Sequence, residues 1–431
     1  MMGPVDDSGP ATSESSPDSS PRGGARRVKH GRPDVVVVGG GPAGLYAAQH
    51  LARWGATVHV LEEHERIGEP AHCTGILGTE ALALPGVPQD TVLGRPSVAR
   101  FLSPAGHRLV YAGPEGDVCV IDRGAFDRGL AQAARRAGAE ITTSARVMGL
   151  AVEREGVTVH ARIAGEPRAV RAEVCLLACG ATYQFQRELG WGMPALFLGS
   201  AQTEVAAIAD EALSVFLRSD VAPAGFGWLV PFARGGDPRA KVGVMAPVGA
   251  RRILGRFLAD LRATGQVSRP RGPVVARLLP LAPLTRTYGE RVLAIGDAAG
   301  LVKPTTGGGI YYSLLSARWA ADHTRAALER GHFSASALAS YEETWRAHLG
   351  LELKVGLWFR RLARWLTPSD LDALTRLALS DGLMPLVRAA ARFNWHHELI
   401  LRAMWHPGVL QIVFRRLLGR ASTLGAVLPT P

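Results

Sequence analysis

Apolar positions along this chain follow two patterns. Short unbroken runs, above all Val35-Val36-Val37-Val38, read as strands of a parallel sheet buried on both faces. Thr57 to Leu61, Val170 to Leu177 and Arg291 to Ile295 carry further strand-like runs, and Ile141 to Leu150 and Val157 to Ile163 read as strands beside them. Between Ser97 and Ile121 the runs are shorter and separated by Gly- and Pro-rich turns. Ala99 to Leu102, Arg108 to Tyr111 and Val118 to Ile121 therefore predict antiparallel strands of a second domain. From Gly190 to Ala282 the chain is again β-rich, interrupted by one helix over 251–263. Helical periodicity predicts helices over 43–54, 122–137 and 310–330, and from about Glu343 onward the chain is helical.

The first strand runs directly into G-x-G-x-x-G on Gly39, Gly41 and Gly44, and then into the helix that begins near Ala43. In that setting Gly39 permits a tight turn, Gly41 lets a pyrophosphate approach the backbone, and Gly44 lets helix and strand pack closely. The phosphates would meet free N–H groups at the helix start. Glu62 ends the second strand, 18 residues after Gly44, where a carboxylate meets the ribose hydroxyls of a dinucleotide. A second glycine-rich helix start lies some 260 residues later. There Gly296-Asp297 follows a buried strand, and Gly307-Gly308-Gly309 precedes Ile310. Bare N–H groups there suit an electron-rich ligand, and a carboxylate after a strand suits a sugar-like hydroxyl.

Composition adds limits. The chain has 431 residues, 47% of them apolar and 20% charged, with no apolar run long enough to span a bilayer. Its net charge of +11 is almost all arginine, since Lys29, Lys241, Lys303 and Lys354 are the only lysines. Nucleic-acid binding is not read from that charge. Residues 1–30 are rich in Ser, Pro, Gly and Asp, without a signal-peptide core, and read as a disordered tail. The four cysteines, Cys73, Cys119, Cys175 and Cys179, lack metal-site spacing and predict a reduced cytosolic protein. Residues 351–431 carry 11 Arg and Lys against 5 Asp and Glu, mixed with Trp and Leu. Such helices suit either a cap over the substrate region or peripheral contact with an anionic membrane surface.

Two stretches carry candidate chemistry. Phe226, Trp228 and Val230 share one strand face, which is either sheet core or the wall of an apolar pocket. Cys73 sits in a Gly- and Pro-rich loop leaving the nucleotide strand, as either a small filler or a reactive thiol.

Taken together, the Gly39–Gly44 fingerprint, Glu62, Arg123 and the Gly296-Asp297 loop resemble FAD-dependent oxidoreductases of the para-hydroxybenzoate hydroxylase type. Within that group the chain most resembles the geranylgeranyl reductase family. The family's P-x-x-Y-x-W-x-F-P strand matches Pro223-x-x-Phe226-x-Trp228-x-Val230-Pro231, with Phe226 in place of the tyrosine. Its cysteine-glycine segment matches Cys73-Thr74-Gly75, and its G-D-A-A-G and G-G-G-I segments match 296–300 and 307–310. Many relatives carry an Asp-Gly pair where this chain has Cys179-Gly180.

The resemblance implies an α/β protein. A Rossmann-like βαβ FAD-binding domain is expected from 31–95, 118–185 and 285–350, an inserted antiparallel-sheet substrate domain from 96–117 and 186–284, and a helical region from 351–431. It implies that Gly39, Gly41, Ala43 and Gly44 hold the FAD pyrophosphate and Glu62 the adenosine ribose. Arg123 would lie along the phosphates, Val147 beside the adenine, and Asp297 on the ribityl chain. Gly308, Gly309 and Ile310 would face the isoalloxazine, with Cys73 and Gly75 near its reactive end, where Cys73 would be catalytic. Phe226, Trp228 and Pro231 would line the substrate site. The implied activity is reduction of isoprenoid C=C bonds in geranylgeranyl diphosphate, a prenylated lipid, or a quinone or chlorophyll tail. NAD(P)H or ferredoxin would be the external reductant. The alternatives are an FAD-dependent monooxygenase and a non-catalytic prenyl-lipid binding protein.

Overall fold

The computed structural model describes residues 32–425 except 115, 208–211, 219–223 and 381. The tail expected over 1–30 and the motif residue Pro223 lie outside the described residues.

The four valines form the centre of a six-stranded sheet. Its spatial order is Tyr288–Gly289, Val292–Ala294, Val174–Leu177, Val35–Val38, Val58–Leu61 and Glu140–Thr142. Val35–Val38 runs parallel to both neighbours, and all four side chains are buried. Only the edge pair at Tyr288–Gly289 is antiparallel. One face is covered by the helix Pro42–Arg53, packed against Arg123–Arg136 and Ile310–Arg330. A three-stranded antiparallel sheet, Ala145–Glu153, Gly156–Ile163 and Glu166–Ala172, packs on the other side. With both faces covered, no position in the run can be polar, which is why it does not alternate.

Two expected strands are each divided in two. Ile141 to Leu150 breaks between Glu140–Thr142 and Ala145–Glu153, at Ser144 with φ 51°. The first piece joins the six-stranded sheet and the second the three-stranded one. Val170 to Leu177 divides at Glu173 in the same way. There the N–H groups of Glu173 and Val174 both donate to the Asp34 carbonyl. An unbroken apolar pattern does not record a change of partner sheet.

An eight-stranded sheet takes its strands from 98–112 and 197–280. Its order is Val267–Pro270, Phe197–Ala207, Asp237–Ala246, Phe226–Arg234, Leu213–Phe216, Val98–Leu102 and Arg108–Ala112, with Val275–Pro280 also paired to Phe197–Ala207. The helix Ala250–Ala263 buries Ile253, Leu254, Phe257 and Leu261 against the face that carries Leu229, Val242 and Val244. Phe226 and Trp228 point to the opposite face, among Met245, Leu279, Leu281 and Val302. Val118–Ile121 does not continue the hairpin of its predecessors. It pairs with Ile76–Gly78 and Val92–Gly94 in a small sheet between the two large ones.

From residue 335 on, the chain is a series of helices: Ala335–Ala363, Pro368–Ser380, Leu383–Ala390, His397–Met404 and Pro407–Gly425. Among the described residues no helix is long and apolar enough to cross a membrane.

Candidate active site

The glycine turn after Val38 has the predicted geometry. Gly39 has φ +111°, and a Cβ there would lie 2.4 Å from the Ala178 carbonyl oxygen. A Cβ at Gly44 would lie 2.0 Å from the Gly39 oxygen, whereas Gly41 faces open space. Gly44 is therefore the packing glycine and does not line the cavity, while Gly39, Gly41 and Ala43 do. The Glu62 carboxylate accepts the Gly40 N–H at 2.6 Å and the His64 N–H at 2.9 Å. It lies 2.5 Å from His64 Nδ1. Its position is thus fixed by the phosphate turn itself.

Arg123 opens the helix Arg123–Arg136, which Asp122 caps through Ala125 N–H. Its guanidinium is clamped by Asp127 in two bonds of 2.9 and 2.8 Å. The sequence carries this clamp as an i, i+4 pair, a signal that singling out Arg123 alone overlooked. Asp297 lies in the short turn Gly296–Ala299. Burial pushes its carboxyl up, and the Arg123 guanidinium opposes that. A Cβ on Gly309 would sit 2.8 Å from Asp297 Oδ1. Gly308, Gly309 and Ile310 line the same cavity, as do Val147, Cys73 and Gly75. The Cys73 sulfur accepts the Gly75 N–H at 3.3 Å.

The cavity is continuous and holds about 1400 Å³, more than the usual upper end of about 1000 Å³ for a single small-molecule site. It runs from the Gly39 turn past Gly308 to an apolar end. Phe226 and Trp228 form part of that wall, their ring centroids 5.8 Å apart. The Trp228 indole N–H is buried without a partner within the protein, and that edge of the ring packs against Gly243. Val230 is fully buried against Val120 in the core. Pro231, one residue further along the strand, alternates to the other face and does not line the cavity.

The rest of the apolar end comes from the C-terminal helices, through Leu371, Leu374, Leu399 and Ile400. Three side chains that sequence reading passed over fasten these helices to the Gly-rich loop. Lys303 is buried, and its ammonium donates to the Phe393 carbonyl at 2.9 Å and to Asn394 Oδ1 at 3.0 Å. Burial pushes Lys303 down to about 7, against the pull of Glu352 and Glu80. Arg360 donates to the carbonyls of Pro304, Thr305 and Ala224. The buried Glu352 accepts the N–H groups of His396 and His397. The helices therefore cap the cavity.

The glycine turns and the Asp297 carboxyl, on one cavity, fit a flavin dinucleotide. Comparison with known proteins agrees. The pyridine nucleotide-disulphide oxidoreductase family model matches residues 33–209. Digeranylgeranylglycerophospholipid reductase 2 of Methanopyrus kandleri is 31% identical over 82% of this chain and 92% of its own length. The enzyme of the same name from Methanothermobacter thermautotrophicus is 32% identical over 80% and 91%. The chain belongs to the geranylgeranyl reductase family of FAD-dependent oxidoreductases. In fold, this geranylgeranyl reductase family chain superposes on a geranylgeranyl bacteriochlorophyll reductase-like protein of Thermoplasma acidophilum. The TM-score is 0.77, at 24% identity, over 89% of this chain and 99% of that one.

Proposed function

We propose that this protein hydrogenates C=C bonds in the isoprenoid chain of an anionic prenyl lipid or diphosphate. The observation that carries this is the single cavity joining the dinucleotide turn to a long apolar end closed by the C-terminal helices. FAD, when bound, supplies the hydride. Gly39, Gly41, Ala43 and Glu62 would hold its adenosine diphosphate half, with Asp297 on the ribityl hydroxyls and the Gly308–Ile310 helix start against the ring. That helix start favours the negative charge of a reduced ring. Phe226, Trp228 and Leu279 hold the chain and exclude water. Cys73 delivers a proton to the carbon that does not take the hydride. Arg364 and Arg392, both exposed and both lining the cavity, suit an anionic head group.

One dinucleotide fingerprint serves FAD, so the reductant, NAD(P)H or ferredoxin, would dock transiently. The lid also offers a surface for the membrane that holds such a substrate. Trp405 is 80% exposed and Phe414 61%, and Arg361, Arg402 and Arg415 of the same helical region are exposed as well.

The test is anaerobic. The purified protein is reduced with dithionite and mixed with geranylgeranyl diphosphate or a geranylgeranylated phospholipid. Reoxidation of a yellow flavoprotein, with product two mass units heavier per bond, supports the proposal. A flavin that stays reduced until oxygen is admitted overturns it in favour of a monooxygenase.

A further inference from the structure

Lys241 is one of four lysines in the chain and stands in an unusual place. It lies on the strand Asp237–Ala246, on the face that carries Gly243 and Met245, and is only 5% exposed. Its ammonium reaches the loop that holds Cys73. A Cβ on Gly75 would stand 3.3 Å from Lys241 Nζ, and the Gly75 N–H donates to the Cys73 sulfur at 3.3 Å. Thiol and ammonium thus flank one residue.

The charges around Lys241 are already matched. Asp122 is 3.0 Å from Arg234, and Glu204 is 3.8 Å from Arg234 and 3.7 Å from Arg239. Asp237 takes the other side of Arg239 at 3.0 Å. Every carboxylate near Lys241 therefore has an arginine. Burial is the largest influence on the Lys241 ammonium and makes it a better acid, while Cys73, Glu204 and Asp122 act on it through space and Arg234 opposes them. Arg123 also bonds the Cys73 side chain, while its guanidinium is held by Asp127 in two bonds. A buried cation without a dedicated carboxylate is costly to keep unless it serves something beside it.

We propose that Lys241 is the proton source behind Cys73 in the reduction described above. This rests on that function. The Cys73 S–H bond breaks as its proton joins one carbon of the alkene and the hydride from reduced flavin joins the other. The thiolate left behind takes a proton from Lys241 Nζ. The neutral amine regains a proton from water. Arg123 cannot play this part, because a guanidinium does not release its proton. Lys241 is accordingly a positioning and relay residue, and Cys73 is the group that touches substrate.

The experiment reads the alkylation rate of Cys73 by iodoacetamide against pH, resolved by peptide mass spectrometry, for the wild type, Lys241→Met, Lys241→Gln and Lys241→Arg. The ammonium favours the thiolate, so its loss in Lys241→Met and Lys241→Gln should move the midpoint up by about one pH unit or more. Lys241→Arg should keep the wild-type midpoint. In multiple turnover, however, Lys241→Arg should be slow like Lys241→Met, because arginine keeps the charge and withholds the proton that restores the thiol. Midpoints of Lys241→Met and Lys241→Gln that superimpose on wild type overturn the proposal, as does a Lys241→Arg enzyme with wild-type turnover. Alkylation needs no substrate. A shifted midpoint in a protein that reduces no prenyl chain overturns the reductase function, and this proposal with it.

Discussion

At Cys73 the chemistry and the packing can be told apart by one substitution. The thiol is half-buried, its sulfur accepts the Gly75 N–H, and the Arg123 side chain bonds it as well. Cys73→Ala should bind flavin normally and lower single-turnover prenyl reduction about 100-fold or more, the usual size of a lost general acid. An unchanged rate with intact flavin would make Cys73 a filler. Gly39→Ala acts on the other end. With φ +111° and a carbonyl oxygen 2.4 Å from the new Cβ, it should cost roughly 1–3 kcal/mol and release the cofactor, read as lost flavin absorbance and a lower Tm. Both positions were legible in the sequence because glycine spacing and a cysteine in a loop are local signals. Lys241 was not legible. In Ala240-Lys241-Val242-Gly243-Val244 it occupies the polar phase of an alternating strand, which reads as solvent-facing. The structure covers that face with a loop from 165 residues earlier in the chain.

Among the elements, the regular ones followed their pattern and the strands that change sheets did not. The helices Pro42–Arg53, Ala250–Ala263 and Ile310–Arg330 lie where apolar periodicity and glycine put them. The breaks at Ser144 and Glu173 are set by which sheet is adjacent, a property of the fold and not of the local sequence. The lid is likewise held by contacts between distant segments. Arg360→Ala removes three donors from otherwise enclosed carbonyls and should destabilise the lid by roughly 1–3 kcal/mol in urea titrations. His396 gives the lid a pH dependence. Burial pushes its imidazole from 6.5 down to about 4, with Lys303 beside it acting the same way and Glu352 opposing. Between those values the unfolded chain binds the proton and the folded lid does not. Stability is therefore lost as pH falls from about 6.5 to about 4. Hydrogen exchange over 391–405 should accelerate in that window, and His396→Gln should flatten the response.

For the molecule as a whole, the two expectations for the C-terminal helices prove compatible. Leu371, Leu374, Leu399 and Ile400 face the cavity, while Trp405, Phe414, Trp358 and Trp365 are turned outward. Liposomes containing anionic lipid should pull the protein down, and Trp405→Glu should weaken that association severalfold without changing flavin content. Equal sedimentation of the variant would remove this surface from the membrane account. The sequence could not divide these roles, since Trp, Leu and Arg are interleaved along the same helices. Lys303 adds a constraint on redesign. It belongs to the loop beside Gly308, yet its hydrogen bonds end on Phe393 and Asn394. A chimera that borrowed another reductase's terminal helices to accept a different tail would also inherit, or forfeit, the anchor of a charge beside Gly308. One lysine ties the glycine-rich loop to the terminal helices, so a graft of those helices must carry that lysine's two acceptors along.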